Sequence, residues 1–279
     1  MPRQLTAVDL AALPLRDALD LLGAALDGSG DAILPTSDDP ASARARESLH
    51  AGAPLGDDED DAADPTALVV ATSGSTGEPK GALLQASALR ASASATHDRL
   101  GGPGTWLLAL APHHVAGAQV LLRSVAAGTV PERLDLRPGF DVDGFVHATN
   151  ALSERTSSRR YTALVPTQLG RLLDAGPRAV CALRAFDAVL LGGAAATPAL
   201  LARARDAGVA VVTTYGMSET CGGCVYDGVP LDGVQVAVDD RIRLGGPVVA
   251  RGYRLQPDSP KFLRRNGVRW FETDDVGSL

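Results

Sequence analysis

Between Ala67 and Gly216 the chain sets down short apolar runs, and most lead into a stretch of helical character. The runs are ALVVA (67–71), WLLALA (106–111), YTALV (161–165), DAVLLGG (187–193) and VAVVTTYG (209–216). Helical stretches are expected over about Gln85–Leu100, after Ala111 to about Ala127, from Pro166, and from Thr197-Pro198, where Thr serves as N-cap and Pro occupies the first turn. Strand and helix alternating through short connections predict a layered α/β domain with largely parallel pairing. After Cys224 the pattern changes. Asp227-Gly228, Asp232-Gly233 and Asp239-Asp240 punctuate short strands, and VQVAV and RIRLGG flank the last of these as a hairpin. The expected organisation is a short N-terminal region over 1–66, a core over 67–224 and a small β subdomain over 225–279.

The first 56 residues show one apolar helical pattern, around Leu10–Leu26, and the acidic run DDEDDAAD (57–64) reads as a solvated loop. Apolar residues make up 45% of the 279, enough for a sizeable core. The formal charge of −7, with no basic run longer than a pair, argues against a nucleic-acid surface. The N-terminus has neither a charged leader with an apolar core nor a membrane span. Three cysteines suit a reducing cytoplasm. Cys221 and Cys224 have the spacing of a zinc half-site or a redox pair, but the sequence offers no second pair and no nearby histidine. They read as small residues packed behind a loop. His50, His97 and His147 are expected on the surface.

The stretch ATSGSTGEPKGA (71–82) directly follows an apolar strand. A Walker loop needs Gly before its lysine and Ser or Thr after it, whereas Pro79 precedes Lys80 and Gly81 follows. The dinucleotide pattern G-x-G-x-x-G is also missing from this stretch. What remains is still phosphate chemistry. Gly74 and Gly77 let backbone amides turn inward, Ser73, Ser75 and Thr76 supply hydroxyls, and Lys80 supplies a mobile point charge.

TSGSTGEPKG resembles the phosphate loop of the adenylate-forming superfamily, which includes acyl- and aryl-CoA synthetases, peptide-synthetase adenylation domains and luciferases. LGGAAATP (191–198), TTYGMSET (213–220) and WFETDDVG (270–277) follow in the order of that superfamily's adenine loop, Y-G-x-T-E and T-G-D motifs. The resemblance implies a layered α/β/α/β/α large domain with a small β subdomain near the C-terminus. It implies that Thr72 to Gly81 wraps the β- and γ-phosphates of ATP, with Thr72, Ser73, Gly74, Ser75, Thr76, Gly77 and Lys80 as contacts. It implies that Tyr215, beside Gly216, stacks on adenine opposite Gly192, Gly193 and Ala194. Ser218, where the family more often has Thr, would touch the α-phosphate; Glu219 would hold Mg²⁺; Asp275 would accept from the ribose hydroxyls. Asp274 stands where the family has glycine. The chemistry implied is attack of a carboxylate on the α-phosphate, giving an acyl-adenylate, then displacement of AMP by the thiol of coenzyme A. Positioning and charge neutralisation carry such a step, with Lys80, Glu219 and His114 as catalytic candidates.

Within the superfamily the resemblance is nearest to the o-succinylbenzoate–CoA ligases of menaquinone biosynthesis, carried by YTALVPTQL, LLGGAAATP, TYGMSETCGGCVYDGVPLDGV and the short N-terminal region. PHHVAGAQVLLRS (112–124) loosely matches P-x-x-H-x-x-G and makes His114, Arg123 and Gly192 candidates for the acid pocket. Arg123 would take the aromatic carboxylate, since a guanidinium fork suits a carboxylate. Nine helical steps of about 100° separate His114 from Arg123 onto opposite helix faces, so both reach one pocket only if His114 precedes the helix. The partners expected are a small carboxylic acid, ATP and coenzyme A, and a homodimer is allowed. Another aryl or acyl adenylating enzyme, or a nucleotide- and acid-binding module without turnover, remain alternatives. The family's smaller C-terminal domain, with its hinge and lysine, is expected after the T-G-D region. The sequence stops at Leu279, so this chain is expected to bind ATP and acid but turn over poorly.

Overall fold

The computed structural model describes residues 2–73 and 79–278. Gly74, Ser75, Thr76 and Gly77, the centre of the expected phosphate loop, lie outside the described residues, as does the side chain of Ser73.

The elements run β1 (Leu5–Val8), α1 (Leu15–Asp27), β2 (Ala32–Pro35), α2 (Pro40–Ser48), β3 (Thr66–Ser73), β4 (Pro79–Gln85), α3 (Ala86–Arg99), β5 (Thr105–Leu108), α4 (Val115–Ala127), β6 (Glu132–Arg133) and α5 (Val142–Arg155). They continue with β7 (Arg160–Leu164), α6 (Pro166–Asp174), α7 (Pro177–Arg184), β8 (Ala188–Leu191), α8 (Pro198–Asp206), β9 (Val211–Met217), a 3-10 turn over Ser218–Thr220, β10 (Gly222–Tyr226) and β11 (Val229–Pro230). Last come β12 (Gln235–Val238), β13 (Ile242–Gly245), β14 (Phe262–Arg265) and β15 (Val268–Glu272).

Three sheets form among the described residues. The first has the order β1-β2-β3-β4, the second β11-β10-β9-β8-β7-β5-β6 and the third β12-β13-β15-β14. In the second sheet β6, β5, β7, β8 and β9 pair parallel, while β10 and β11 add antiparallel. α1, α3 and α4 fill the space between the first two sheets, around Leu22, Leu89, Trp106 and Leu121. α5 to α8 cover the far face of the second sheet, around Phe145, Leu169 and Leu183, and α2 covers the outer face of the first. This is the expected α/β/α/β/α layering. The reason is the strand composition: β5, β7 and β8 are apolar on both faces, so helices must shield both sides.

Two local rules act as expected. The side chain of Thr197 caps α8 by accepting from the Leu200 amide, with Pro198 in the first turn. VQVAV and RIRLGG pair antiparallel as β12 and β13.

Other readings are corrected. β1, β2 and α2 accompany the helix in the first 56 residues, and β1 and β2 pair parallel with β3, so this region completes the first sheet. The 57–64 run is not simply solvated. Glu59 is buried against Arg254, Asp60 pairs with Arg3, and Asp64 accepts from the amide and hydroxyl of Ser87 at the start of α3. Its charges tie the N-terminal region to distant chain, a role that a count of acidic residues does not reveal. A strand that the sequence reading did not foresee, β4, follows the expected phosphate loop and pairs antiparallel with β3, with Thr72 opposite Lys80, and the expected helix begins after it as α3. His97 is buried at the end of α3 rather than on the surface.

Candidate active site

The carboxyl ends of β8 and β9 open into a cleft of about 1150 Å³, closed on its far side by the third sheet and the 273–276 segment. Ligands in open α/β sheets settle outside the carboxyl ends of the strands. Thr72, Lys80, Gly193, Ala194, Tyr215, Gly216, Glu219 and Asp275 all line this cleft, though they come from segments up to about 200 residues apart. Ser218 is half-buried in the 3-10 turn beside Glu219.

The Tyr215 hydroxyl donates to Asp275 Oδ2 at 2.7 Å. Burial, reinforced by that carboxylate, raises the phenol well above its ordinary pKa. Asp275 is itself held through its amide, which donates to Thr273 Oγ1 at 3.1 Å, while that hydroxyl donates to the Ile242 carbonyl. The carboxylate is exposed at the rim, where it can accept from a hydroxylated ligand.

Glu219 is buried at the floor, and its Oε1 accepts from the Tyr253 hydroxyl at 2.6 Å. Oε2 has no protein donor among the described residues. No group of three or more His, Cys, Asp or Glu that could hold a metal occurs among them either. One carboxylate and open space fit Mg²⁺, which keeps most of its shell as water and phosphate oxygen. Lys80 Nζ lies 5.3 Å from the centre of the Tyr253 ring.

Asp274, in the place of the family's glycine, has a clear structural partner set. It accepts from Lys261 Nζ at 2.6 Å and from Arg241 at 3.1 Å. The Lys261 hydrogen bond holds its carboxyl below the usual range. Lys261 also lines the cleft, so both lysines of the chain stand there.

A smaller cavity of about 110 Å³ lies behind the cleft and shares Gly193, Thr214 and Gly216 with it. Gly192 forms part of its wall, and a Cβ there would meet Thr214 Oγ1 at 2.3 Å. Arg123 reaches this cavity from α4 and is 3% exposed, which excludes a surface role. Its guanidinium lies 5.2 Å from the Trp106 ring centre, and one nitrogen donates to the Tyr226 hydroxyl at 3.3 Å. Its Nε has no partner, and no carboxylate pairs with it among the described residues. Gln119, one turn earlier, donates to the Cys221 carbonyl at 2.6 Å and leaves a buried Oε1 bare.

His114 does precede α4, as its N-cap residue. Its side chain is nonetheless exposed, rests on the His113 ring with centres 4.2 Å apart, and is not among the residues that line either cavity. Crowding by the surrounding chain, then His113, lowers its pKa. The structure therefore separates His114 from Arg123. Cys221 and Cys224 are buried free thiols behind the 3-10 turn, both pushed up by burial, Cys224 to about 11. A buried thiol of raised pKa is a packing residue.

The residues 17–253 match the model of the AMP-binding enzymes. The chain belongs to the AMP-binding enzyme family. It is 56% identical over 218 residues to the probable 2-succinylbenzoate–CoA ligase of Mycobacterium tuberculosis, covering 77% of this chain and 55% of that protein. It is 30% identical over 239 residues to the 2-succinylbenzoate–CoA ligase of Enterococcus faecalis, covering 76% and 47%. This AMP-binding chain thus spans about half the length of the curated relatives it matches. Among solved structures, the N-terminal subdomain of Klebsiella oxytoca NpsA superposes with a TM-score of 0.79 at 18% identity, covering 99% of this chain and 84% of that one, a likeness of fold.

Tyr253, Lys261, Trp106 and Tyr226 are site residues that motif reading passed over. Scarcity was the available signal: the chain has four tyrosines and two lysines, and three and two of them, respectively, line the cavities.

Proposed function

We propose that the chain is the nucleotide- and acid-binding part of an AMP-forming acid–CoA ligase whose acid is 2-succinylbenzoate. The observation that carries the reading is the buried, carboxylate-free guanidinium of Arg123 in a cavity that opens on the cleft at Gly193, Thr214 and Gly216. A dicarboxylate lying across that junction would place its aromatic carboxylate on Arg123 and its succinyl carboxylate at the cleft. An uncompensated buried cation is costly, and a carboxylate ligand removes the cost. The names of the relatives support the same acid.

In this reading adenine lies on Tyr215 between that ring and the Gly193–Ala194 backbone, and Asp275 accepts from the ribose hydroxyls. Lys80 and Ser218 neutralise and orient the phosphates, with the hydroxyl and amide donors of the 73–77 loop. Mg²⁺ held by Glu219 would draw charge off the phosphate oxygens. The succinyl carboxylate oxygen attacks the α-phosphorus; the new P–O bond forms as the bond to the bridging oxygen breaks and pyrophosphate leaves. A thiolate of coenzyme A then adds to the acyl carbonyl and AMP departs with the electron pair. Preorganised charge supplies most of the acceleration in both steps. The free thiols are in keeping with a reducing, cytoplasmic setting.

The test is calorimetric titration of the chain with sulfamoyl-adenosine mimics of acyl-adenylates. Tight binding of the 2-succinylbenzoyl mimic, at least about 10-fold over benzoyl and fatty-acyl mimics, is expected. A preference for a monocarboxylic acyl group would remove this acid and leave another aryl or acyl ligase; no binding of any mimic would remove the ligase reading.

A further inference from the structure

In a cleft that would take a metal triphosphate, the lysine for phosphate and the carboxylate for metal also attract one another. A direct Lys80–Glu219 ion pair would consume both groups. No such pair forms here: Lys80 makes no ion pair with any carboxylate among the described residues. Between them stands Tyr253. Its hydroxyl donates to Glu219 Oε1 at 2.6 Å, and its ring carries the Lys80 ammonium 5.3 Å from its centre. A phenol can do both, because its edge is a donor to carboxylate while its face attracts a cation.

Tyr253 is also fixed more firmly than packing alone requires. The ring meets Phe262 edge-on at 5.0 Å and Phe271 at 6.5 Å, so its plane is set by the third sheet. Its backbone is set by β4, whose second residue is Lys80: the Leu83 amide donates to the Gly252 carbonyl, the Arg251 amide to the Leu83 carbonyl and the Arg254 amide to the Gly81 carbonyl. The same segment holds the Glu219 turn, since the Ala250 amide donates to the Glu219 carbonyl at 2.8 Å. One short segment thus references both charged groups to one ring.

The geometry points to Tyr253 as a positioning residue that keeps Lys80 and Glu219 apart and leaves each free for its ligand. It acts through those two side chains. The inference rests on the nucleotide-binding reading above, and Lys80 and Glu219 keep the roles given there.

The test is calorimetric titration of ATP into the intact chain, with and without Mg²⁺, for wild type and three variants, each first shown to be folded by its thermal transition. Wild type must bind ATP more tightly with Mg²⁺; if it does not, the nucleotide-binding reading itself has failed. Y253F keeps the ring and loses the hydroxyl. Its Mg²⁺-free affinity is expected to stay within about 2-fold of wild type while the gain from Mg²⁺ drops about 10-fold, the size of one charge-assisted hydrogen bond. Y253L removes the spacer, so Lys80 and Glu219 pair. Mg²⁺-free ATP affinity should fall about 10-fold, and Y253L/E219Q should restore it by freeing Lys80. A residue that merely packs would not give rescue by a second substitution. Unchanged Mg²⁺ dependence in Y253F overturns the inference by itself, as does loss in Y253L that E219Q fails to restore.

Discussion

Arg123→Met separates binding from folding, because the two respond in opposite directions. The guanidinium is 3% exposed and has five N–H donors, of which one reaches an acceptor among the described residues, the Tyr226 hydroxyl at 3.3 Å. Stacking on Trp106 offsets part of the desolvation of the cation but supplies no counter-charge. Met keeps much of the stem volume and removes an unpaired buried charge, so unfolding free energy in urea should hold or rise. Removing one partner of a buried charge pair costs about 2–5 kcal/mol in a complex. At about 1.4 kcal/mol per decade that is a loss of about 30-fold to several-thousand-fold for the 2-succinylbenzoyl sulfamoyl-adenosine mimic. The 4-oxo-4-phenylbutanoyl mimic, which lacks the aromatic carboxylate, should lose less than about 3-fold. Parallel loss for both mimics, or a fall in stability of several kcal/mol, would mean that Arg123 braces the fold and does not read the acid.

Other consequences follow from burial and close approach. In Gly117→Ala the new Cβ would sit 2.3 Å from the Ala111 carbonyl oxygen. The helix-propensity gain of about 1 kcal/mol is then outweighed by overpacking of about 1–3 kcal/mol, and the urea midpoint should fall. Arg254→Ala strips a buried ion pair from Glu59 and donors from the Leu49, His50 and Pro54 carbonyls, and should cost about 3–5 kcal/mol by the same measurement. At pH 8 iodoacetamide should modify Cys181 alone in the native chain and all three thiols in denaturant, read by intact mass; burial holds Cys224 near about 11. Burial, then Arg123, lowers the His97 pKa, with Asp98 opposing. Stability from this group is complete above the unfolded value of about 6.5 and declines as pH falls toward the folded one. The urea midpoint should drop between pH 7 and 5.5, and less so in His97→Gln.

Much of the molecule was legible because its signals are local. Apolar runs spaced by helical stretches dictate a parallel sheet shielded on both faces, and β5, β7, β8 and β9 fall within a few residues of the runs that announced them. Thr197-Pro198 starts α8, and Asp239-Asp240 turns the β12–β13 hairpin, through contacts within four residues. The motif order also brought Lys80, Tyr215, Glu219 and Asp275 to one cleft.

What the tertiary structure decided concerns partners far apart in the chain. Arg123 sits on a helix whose neighbours are buried on nearly every side, so periodicity could not say which face met a cavity. His114, attractive by motif, is the exposed N-cap residue of α4 and lines neither cavity, although Val115 and Ala116 after it line the smaller one. Glu59 looked solvated until Arg254, 195 residues on, neutralised it. β4 was absorbed into the glycine loop because seven residues mixing Pro, Lys and Gly with leucine show no strand period. Tyr253 gained its place between Lys80 and Glu219 only when β4, the 3-10 turn and the third sheet converged on it. Sequence alone determined the alternating strands and helices of the core and the motif residues that line the cleft, since both reside in short segments. Packing determined which charges are left unpaired there, because that depends on what the rest of the chain brings within hydrogen-bonding distance.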